Sequence, residues 1–272
     1  MPSANPPGTR YSGRRRGGGG LGHLAKVAGP RSALNEFLTW LAWRDVQFKL
    51  HEFDDNTIDT TYWTANGGTG TTVFAYSATI HGSLVGATGT NGTASNRVAN
   101  LYGPRLWSGD NYGGVAFRMR VGAAVTDIEW GAGFIDTHTT ITTPVILGDV
   151  DDGSGLAAGM GDAAVIYQDT AETLATAALM CLGSGALNAG SSNAFSPTFA
   201  PTAVTDFWAI VQLDVNNVYA QITNSDGSGF TEVTKIDGME GGTLVRPFLV
   251  ISGPSATTKT WTIDAIATWG MR

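Results

Sequence analysis

From Val46 onward, apolar residues fall at every second position, and few sequence features restrict a fold more tightly. Val46, Phe48 and Leu50 alternate with Gln47 and Lys49. Val115, Phe117, Met119 and Val121 alternate with Ala116, Arg118 and Arg120, and Ile128, Trp130, Ala132 and Phe134 with Asp127 and Glu129. A period of two sends successive side chains to opposite faces of a strand, so these segments predict half-buried strands, apolar on one face and charged on the other. Phe207, Ala209, Val211, Leu213 and Val215, then Val218, Ala220 and Ile222, flank Asn216-Asn217. Asparagine tolerates positive φ, which predicts a two-residue hairpin turn at 216–217. Asp226-Gly227-Ser228-Gly229 supplies a further turn, and Trp261, Ile263, Ala265, Ala267 and Trp269 keep the alternation to the end of the sequence. About twelve strands separated by Gly, Asn, Asp and Ser turns, with no helix between them, predict an all-β antiparallel sandwich of two sheets over 46–272. The glycine-rich, weakly patterned stretches 148–162 and 183–203 read as long loops.

Upstream the pattern changes. Residues 1–31 form a Pro-, Gly- and Arg-rich stretch with nothing to bury, which predicts an extended arm. Gly17-Gly18-Gly19-Gly20-Leu21-Gly22 matches the spacing of a dinucleotide fingerprint, but it follows Arg14-Arg15-Arg16 rather than a strand, so it reads as a linker. Those arginines precede glycines rather than an apolar run, unlike a signal peptide. Ser32 is placed to cap a short helix over 32–45 with Leu34, Phe37, Leu38 and Leu41 at helical spacing, and Trp40 and Trp43 widen its apolar face. That face must dock on the chain's own sheet or on a neighbouring subunit.

Charge divides the chain. Its net charge is −7, yet residues 1–33 hold six basic residues (Arg10, Arg14, Arg15, Arg16, Lys26, Arg31) and no acid, leaving ten basic against 23 acidic residues in the remainder. An acidic body with a basic arm requires different partners for its two parts. Charged residues are only 14% of the chain and hydrophobic ones 42%, a composition suited to tightly turned β-structure and to a surface covered in an assembly. No apolar stretch approaches the roughly 20 residues of a membrane span. The single cysteine, Cys181, lies in an apolar run and reads as a small core residue rather than a reactive thiol.

In order and spacing, several segments resemble the concanavalin A-like (laminin G-like) jelly roll of tailed-bacteriophage virion structural proteins. Phe53-Asp54-Asp55 with Trp63 resembles that domain's first strand, and Glu129-Trp130-Gly131-Ala132-Gly133-Phe134 with Asp136 its central strand. Residues 207–213 and 218–222 resemble its curved hairpin, and Arg246-Pro247-Phe248-Leu249-Val250 with Ile263-Asp264 and Trp269 its return strands. The resemblance covers residues 50–272 and implies a jelly-roll sandwich. It implies no single activity, because the fold serves lectins, glycosidases and structural modules alike.

Catalytic chemistry finds little support. The E-x-D-x-x-E run that the resemblance would require of a glycosidase is absent; Asp127 and Glu129 share a strand face but read as its solvent side. There is no G-x-S-x-G elbow, and His23, His51, His81 and His138 are dispersed, which disfavours triads and zinc. Asp149, Asp151 and Asp152 cluster as calcium ligands do, yet Met160 stands where an EF-hand needs its glutamate, and an acidic turn is the plainer reading. No cofactor is expected. Trp107, Tyr102 and Tyr112 flank the loop Ser108-Gly109-Asp110-Asn111, an arrangement open to two readings: a glycan platform, or packing in a core or interface.

These readings lead to a non-enzymatic virion protein, with capsid decoration or cementing as the leading role. Its anchor would be Arg10, Arg14, Arg15, Arg16 and the helix residues Leu34, Phe37, Leu38, Trp40 and Leu41. The expected partners are other virion proteins (the major capsid protein or tail proteins) and sister subunits, the resemblance implying a homo-oligomer such as a trimer. The expected location is the virion, assembled in the host cytoplasm, with no membrane partner. Nucleic acid is disfavoured because an acidic body would be repelled by it. A tail-associated adhesin recognising glycans is the alternative.

Overall fold

A computed structural model describes residues 46–53, 57–67, 72–77, 83–87, 98–122, 128–136, 161–169, 176–183, 186–202, 206–224, 231–237, 239–252 and 259–271. The expected arm, the helix over 32–45 and Asp149, Asp151 and Asp152 lie outside them. So do His23, His81, His138 and the turn at 226–229.

The strands, in order, are β1 (Val46–Glu52), β2 (Thr64–Gly67), β3 (Thr72–Tyr76), β4 (Leu84–Ala87), β5 (Val98–Tyr102), β6 (Gly114–Val121), β7 (Glu129–Ile135) and β8 (Ala163–Asp169). They continue with β9 (Ala178–Gly183), β10 (Ala186–Ala194), β11 (Asp206–Asp214), β12 (Asn217–Asn224), β13 (Thr234–Asp237), β14 (Arg246–Ser252) and β15 (Thr260–Met271). Two antiparallel sheets result. An eight-stranded sheet runs β13-β12-β11-β6-β15-β4-β3 with β1 also on β15, and a seven-stranded sheet runs β10-β9-β8-β7-β14-β5-β2. The all-β two-sheet sandwich is therefore as the alternation predicts, with more strands than the sequence suggests because β2, β3, β4 and β13 are too short to show a period.

The core lies between the sheets. Trp130 on β7 packs 5.5 Å from Trp261 on β15 and 5.7 Å from Phe207 on β11, measured between ring centroids. The Trp130 indole N–H donates to Gln168 Oε1 at 2.7 Å, which keeps that large ring buried without an orphaned donor. A register shift between Ile263 and Ala265 interrupts the β15–β6 ladder, and β15 pairs with β4 before that point and with β1 after it.

Three expectations need correction. The stretch 183–203 is not one long loop: β10 occupies Ala186–Ala194 and pairs with β9, with a register irregularity between Leu187 and Ser192. As the edge of its sheet it bonds to a single neighbour, so it forms without the alternation a more central strand shows. The hairpin turn is Val215-Asn216, since Asn217 pairs with Asp214. Finally, Glu129 is not on a solvent face; it is 6% exposed and β7 is buried along its whole length. The cause is a second apolar layer on the outer side of the seven-stranded sheet, built from residues such as Tyr102, Ile135, Tyr167 and Phe248.

Candidate functional site

Three connections meet at one end of the sandwich. The β5–β6 connection (103–113) crosses from the seven-stranded to the eight-stranded sheet, and beside it lie the β11–β12 turn and the β13–β14 connection (238–245). Backbone hydrogen bonds join them. Trp107 and Val245 exchange N–H···O bonds of 3.1 and 2.6 Å, Asp110 N–H donates to Gly241 O at 2.9 Å, and Val215 N–H donates to Gly109 O at 3.0 Å. Gly241 N–H donates to Asn216 Oδ1 at 3.1 Å, which ties the third connection to the second. Bonds of this kind fix a loop surface without a hydrophobic core beneath every residue.

Local sequence explains the tight fit. Val215 has a φ of 53° and Tyr112 a φ of 52°, a region that β-branched and aromatic residues rarely enter. Each is held there by the neighbouring connections. A Cβ on Gly109 would lie 1.9 Å from Val215 O, so only glycine lets the hairpin approach. Asn111 Oδ1 accepts from Ser108 N–H at 2.8 Å, and Asn111 O accepts from Met271 N–H at 2.6 Å. Gln212, wholly buried, donates to Tyr112 O at 2.8 Å and accepts from the Trp269 indole, securing the base of the loop.

What this framework presents is an exposed carboxylate on the same connections as three exposed apolar side chains. Asp110 is exposed, and a Cβ on Gly241 would stand 2.7 Å from its Oδ1, so the carboxylate rests against bare backbone. The exposed large hydrophobic residues among those described, Leu106, Val215 and Leu244, all lie on these same connections. Of the residues singled out from sequence, Asp110, Asn111 and Tyr112 thus come together with Asn216 and Gly241, which sequence reasoning did not select. Trp107 and Tyr102 are different: they are 4% and 3% exposed, Trp107 packing against Gly270 and Tyr102 against Phe248, so they support the fold and offer no stacking face.

Among the described residues no group of three or more His, Cys, Asp or Glu is arranged to hold a metal ion. No helix among them is long and apolar enough to cross a membrane. Cys181 is buried and its thiol pKa is pushed up by that burial. On β1, His51 is packed between Tyr62 and Trp63 at ring distances of 4.5 and 5.2 Å. Burial, with Lys49 nearby, lowers its pKa to about 4.

The sheet order and the loop end can now be set beside known structures. Peanut lectin superposes over 83% of this chain and 98% of its own, with a TM-score of 0.54 and 13% identity. The exoplasmic/lumenal domain of VIP36, in its form bound to calcium and Man2, covers 80% of this chain and 86% of its own, with a TM-score of 0.54 and 9% identity. The Emp47p carbohydrate recognition domain covers 82% and 95%, with a TM-score of 0.53 and 12% identity. The fold is a concanavalin A-like jelly roll. Identities this low carry the jelly roll and nothing finer. No family model and no curated protein sequence matches the chain.

Proposed function

We propose that the chain is a non-catalytic recognition module that binds carbohydrate at the loop end of its jelly roll. The observation that carries this reading is the exposed Asp110 carboxylate, seated on Gly241 and held by three hydrogen-bonded connections that also carry the exposed Leu106, Val215 and Leu244. A carboxylate accepts hydrogen bonds from adjacent sugar hydroxyls, and exposed apolar side chains pack against the C–H face of a pyranose. Tyr112, half-buried beside Asp110, adds a partial aromatic surface. Emp47p, whose matching domain is a carbohydrate recognition domain, and VIP36, seen with Man2 bound, lend the reading support of a general kind. A glycan array probed with the full chain, with and without calcium, tests it: retained signals should be lost at least tenfold in Asp110→Ala, and a blank array rejects the reading.

The charge asymmetry of the sequence favours a second reading, concerning where such a module is mounted. Residues 1–45, basic and then amphipathic, would anchor it as a structural protein of a tailed-phage virion, on capsid or tail proteins or on sister subunits. If a chain lacking residues 1–45 bound phage shells as well as the full chain did, this anchoring would be rejected.

A further inference from the structure

Near Asp110 lie two arginines, Arg105 and Arg246, that form no ion pair with a carboxylate among the described residues. Arg246 opens β14 opposite Ile135 on β7, and it shares the outer face of the seven-stranded sheet with Phe248. Its Nε is closed off from solvent with no hydrogen-bond partner, and no described residue forms an ion pair with it. Arg105, of like sign, acts against its charge, and Tyr102 and Asp136 act in its favour. Asp136 is itself buried and accepts the Gly161 N–H at 3.1 and 3.2 Å. Arg105 is exposed and bonds through Nε to the Leu244 carbonyl at 2.6 Å, which leaves its terminal N–H groups open. Burial and then Arg105 lower the Arg246 pKa from its usual value.

A cation partly taken out of water needs compensation, and among the described residues Tyr102 and Asp136 supply part of it while the Nε donor stays unmet. Two guanidiniums present planar forks of donors suited to a bidentate oxyanion. The Leu244 carbonyl that holds Arg105 belongs to the same connection as Gly241, which backs Asp110. From this juxtaposition we infer that Arg105 and Arg246 receive the carboxylate of an acidic saccharide whose hydroxyls meet Asp110. The inference rests on the carbohydrate reading and sharpens it to a ligand class. Electrostatics also sets the orientation, because Asp110 repels a carboxylate and the arginines attract one.

Calorimetric titration of the full chain with glucuronate, glucose and inorganic phosphate tests this, using wild type, Arg246→Gln, Arg246→Lys and Asp110→Ala. Glucuronate should bind at least tenfold more tightly than glucose. That ratio should fall to near one in Arg246→Gln and to an intermediate value in Arg246→Lys, which keeps charge without the fork. A thermal midpoint for Arg246→Gln no lower than that of wild type shows that the loss is not unfolding. Equal affinity for glucose and glucuronate overturns the inference and leaves the carbohydrate reading standing. Binding of phosphate and glucuronate alike, indifferent to Asp110→Ala, reduces the pair to a general anion site and overturns both. Absence of binding by any saccharide also overturns both.

Discussion

The four arginines among the described residues fall into two pairs, and the pairs are opposites. Arg118 and Arg120, on the outer face of the eight-stranded sheet, share carboxylates. Arg120 Nε donates to Asp206 at 2.6 Å, and Arg118 lies 3.7 Å from Asp206 and 3.8 Å from Asp264. Asp264 sits at the register shift of β15 and also accepts from Ser83 at 2.6 Å. Arg105 and Arg246, at the loop end, have no carboxylate paired with them among the described residues. Arg118 Nε, like Arg246 Nε, has no hydrogen bond, so what separates the pairs is the shared carboxylates that hold the first within the fold and that the second lacks among the described residues. Composition would count the four alike.

The contrast can be broken most severely at the backbone of the loop end. Gly109→Ala places a Cβ 1.9 Å from Val215 O, so the connections must separate. The expected cost is about 2–3 kcal/mol in urea unfolding, together with loss of saccharide binding. Acid strikes a third basic group, His51, which the fold holds neutral. Its folded pKa is lowered to about 4 from the ordinary 6.5, so its neutral burial stabilises fully above pH 6.5. Stability should fall as pH drops from 6.5 to about 4, by about 2 kcal/mol after allowing for solvent screening. His51→Phe should flatten that part of the profile in pH-dependent melting.

Asp206→Ala would convert the satisfied pair into an imitation of the unsatisfied one. A loss of about 1 kcal/mol is expected, modest because both arginines are about a third exposed, and 1 M salt should shrink it. The smallest effect has the opposite sign: Arg246→Gln removes an incompletely compensated cation and should raise stability by up to about 0.5 kcal/mol. If Arg246→Gln destabilised the protein as much as Asp206→Ala, the distinction between the pairs would be lost.

Alternation made the sandwich legible. β6, β11, β12 and β15 stand where the apolar periods place them, because each has an inner face that water must not reach. β10 was hidden: an edge strand rich in Gly, Ser and Asn has neither period nor bulk. The burial of Glu129 was hidden for another reason, since the apolar layer outside β7 is assembled from strands distant in sequence. A signal for that layer did exist in the unbroken apolar runs Ala163–Tyr167 and Ala178–Leu182, which suit strands buried on both faces. At the candidate site, Asp110, Asn111 and Tyr112 drew notice as polar and aromatic neighbours. Their partners Asn216 and Gly241 did not, because only the bonds among the three connections unite them. Arg246 gains its meaning from its register against β7, which no local pattern encodes.

The placement of β15 bears on how the protein is made. This strand lies between β6 and β4, and it also carries β1, the first strand described. Its residues follow every other described strand along the chain, so the eight-stranded sheet remains in three parts (β13-β12-β11-β6, β4-β3 and β1) until they are made. Until Trp261–Met271 emerges, the facing edges of β6 and β4 have no strand between them. Exposed edges of that kind recruit other chains, and sheets closed by distant segments close slowly. Yield in a cell should therefore depend on chaperones that shelter nascent chains during that interval, more than on the stability of the finished sandwich.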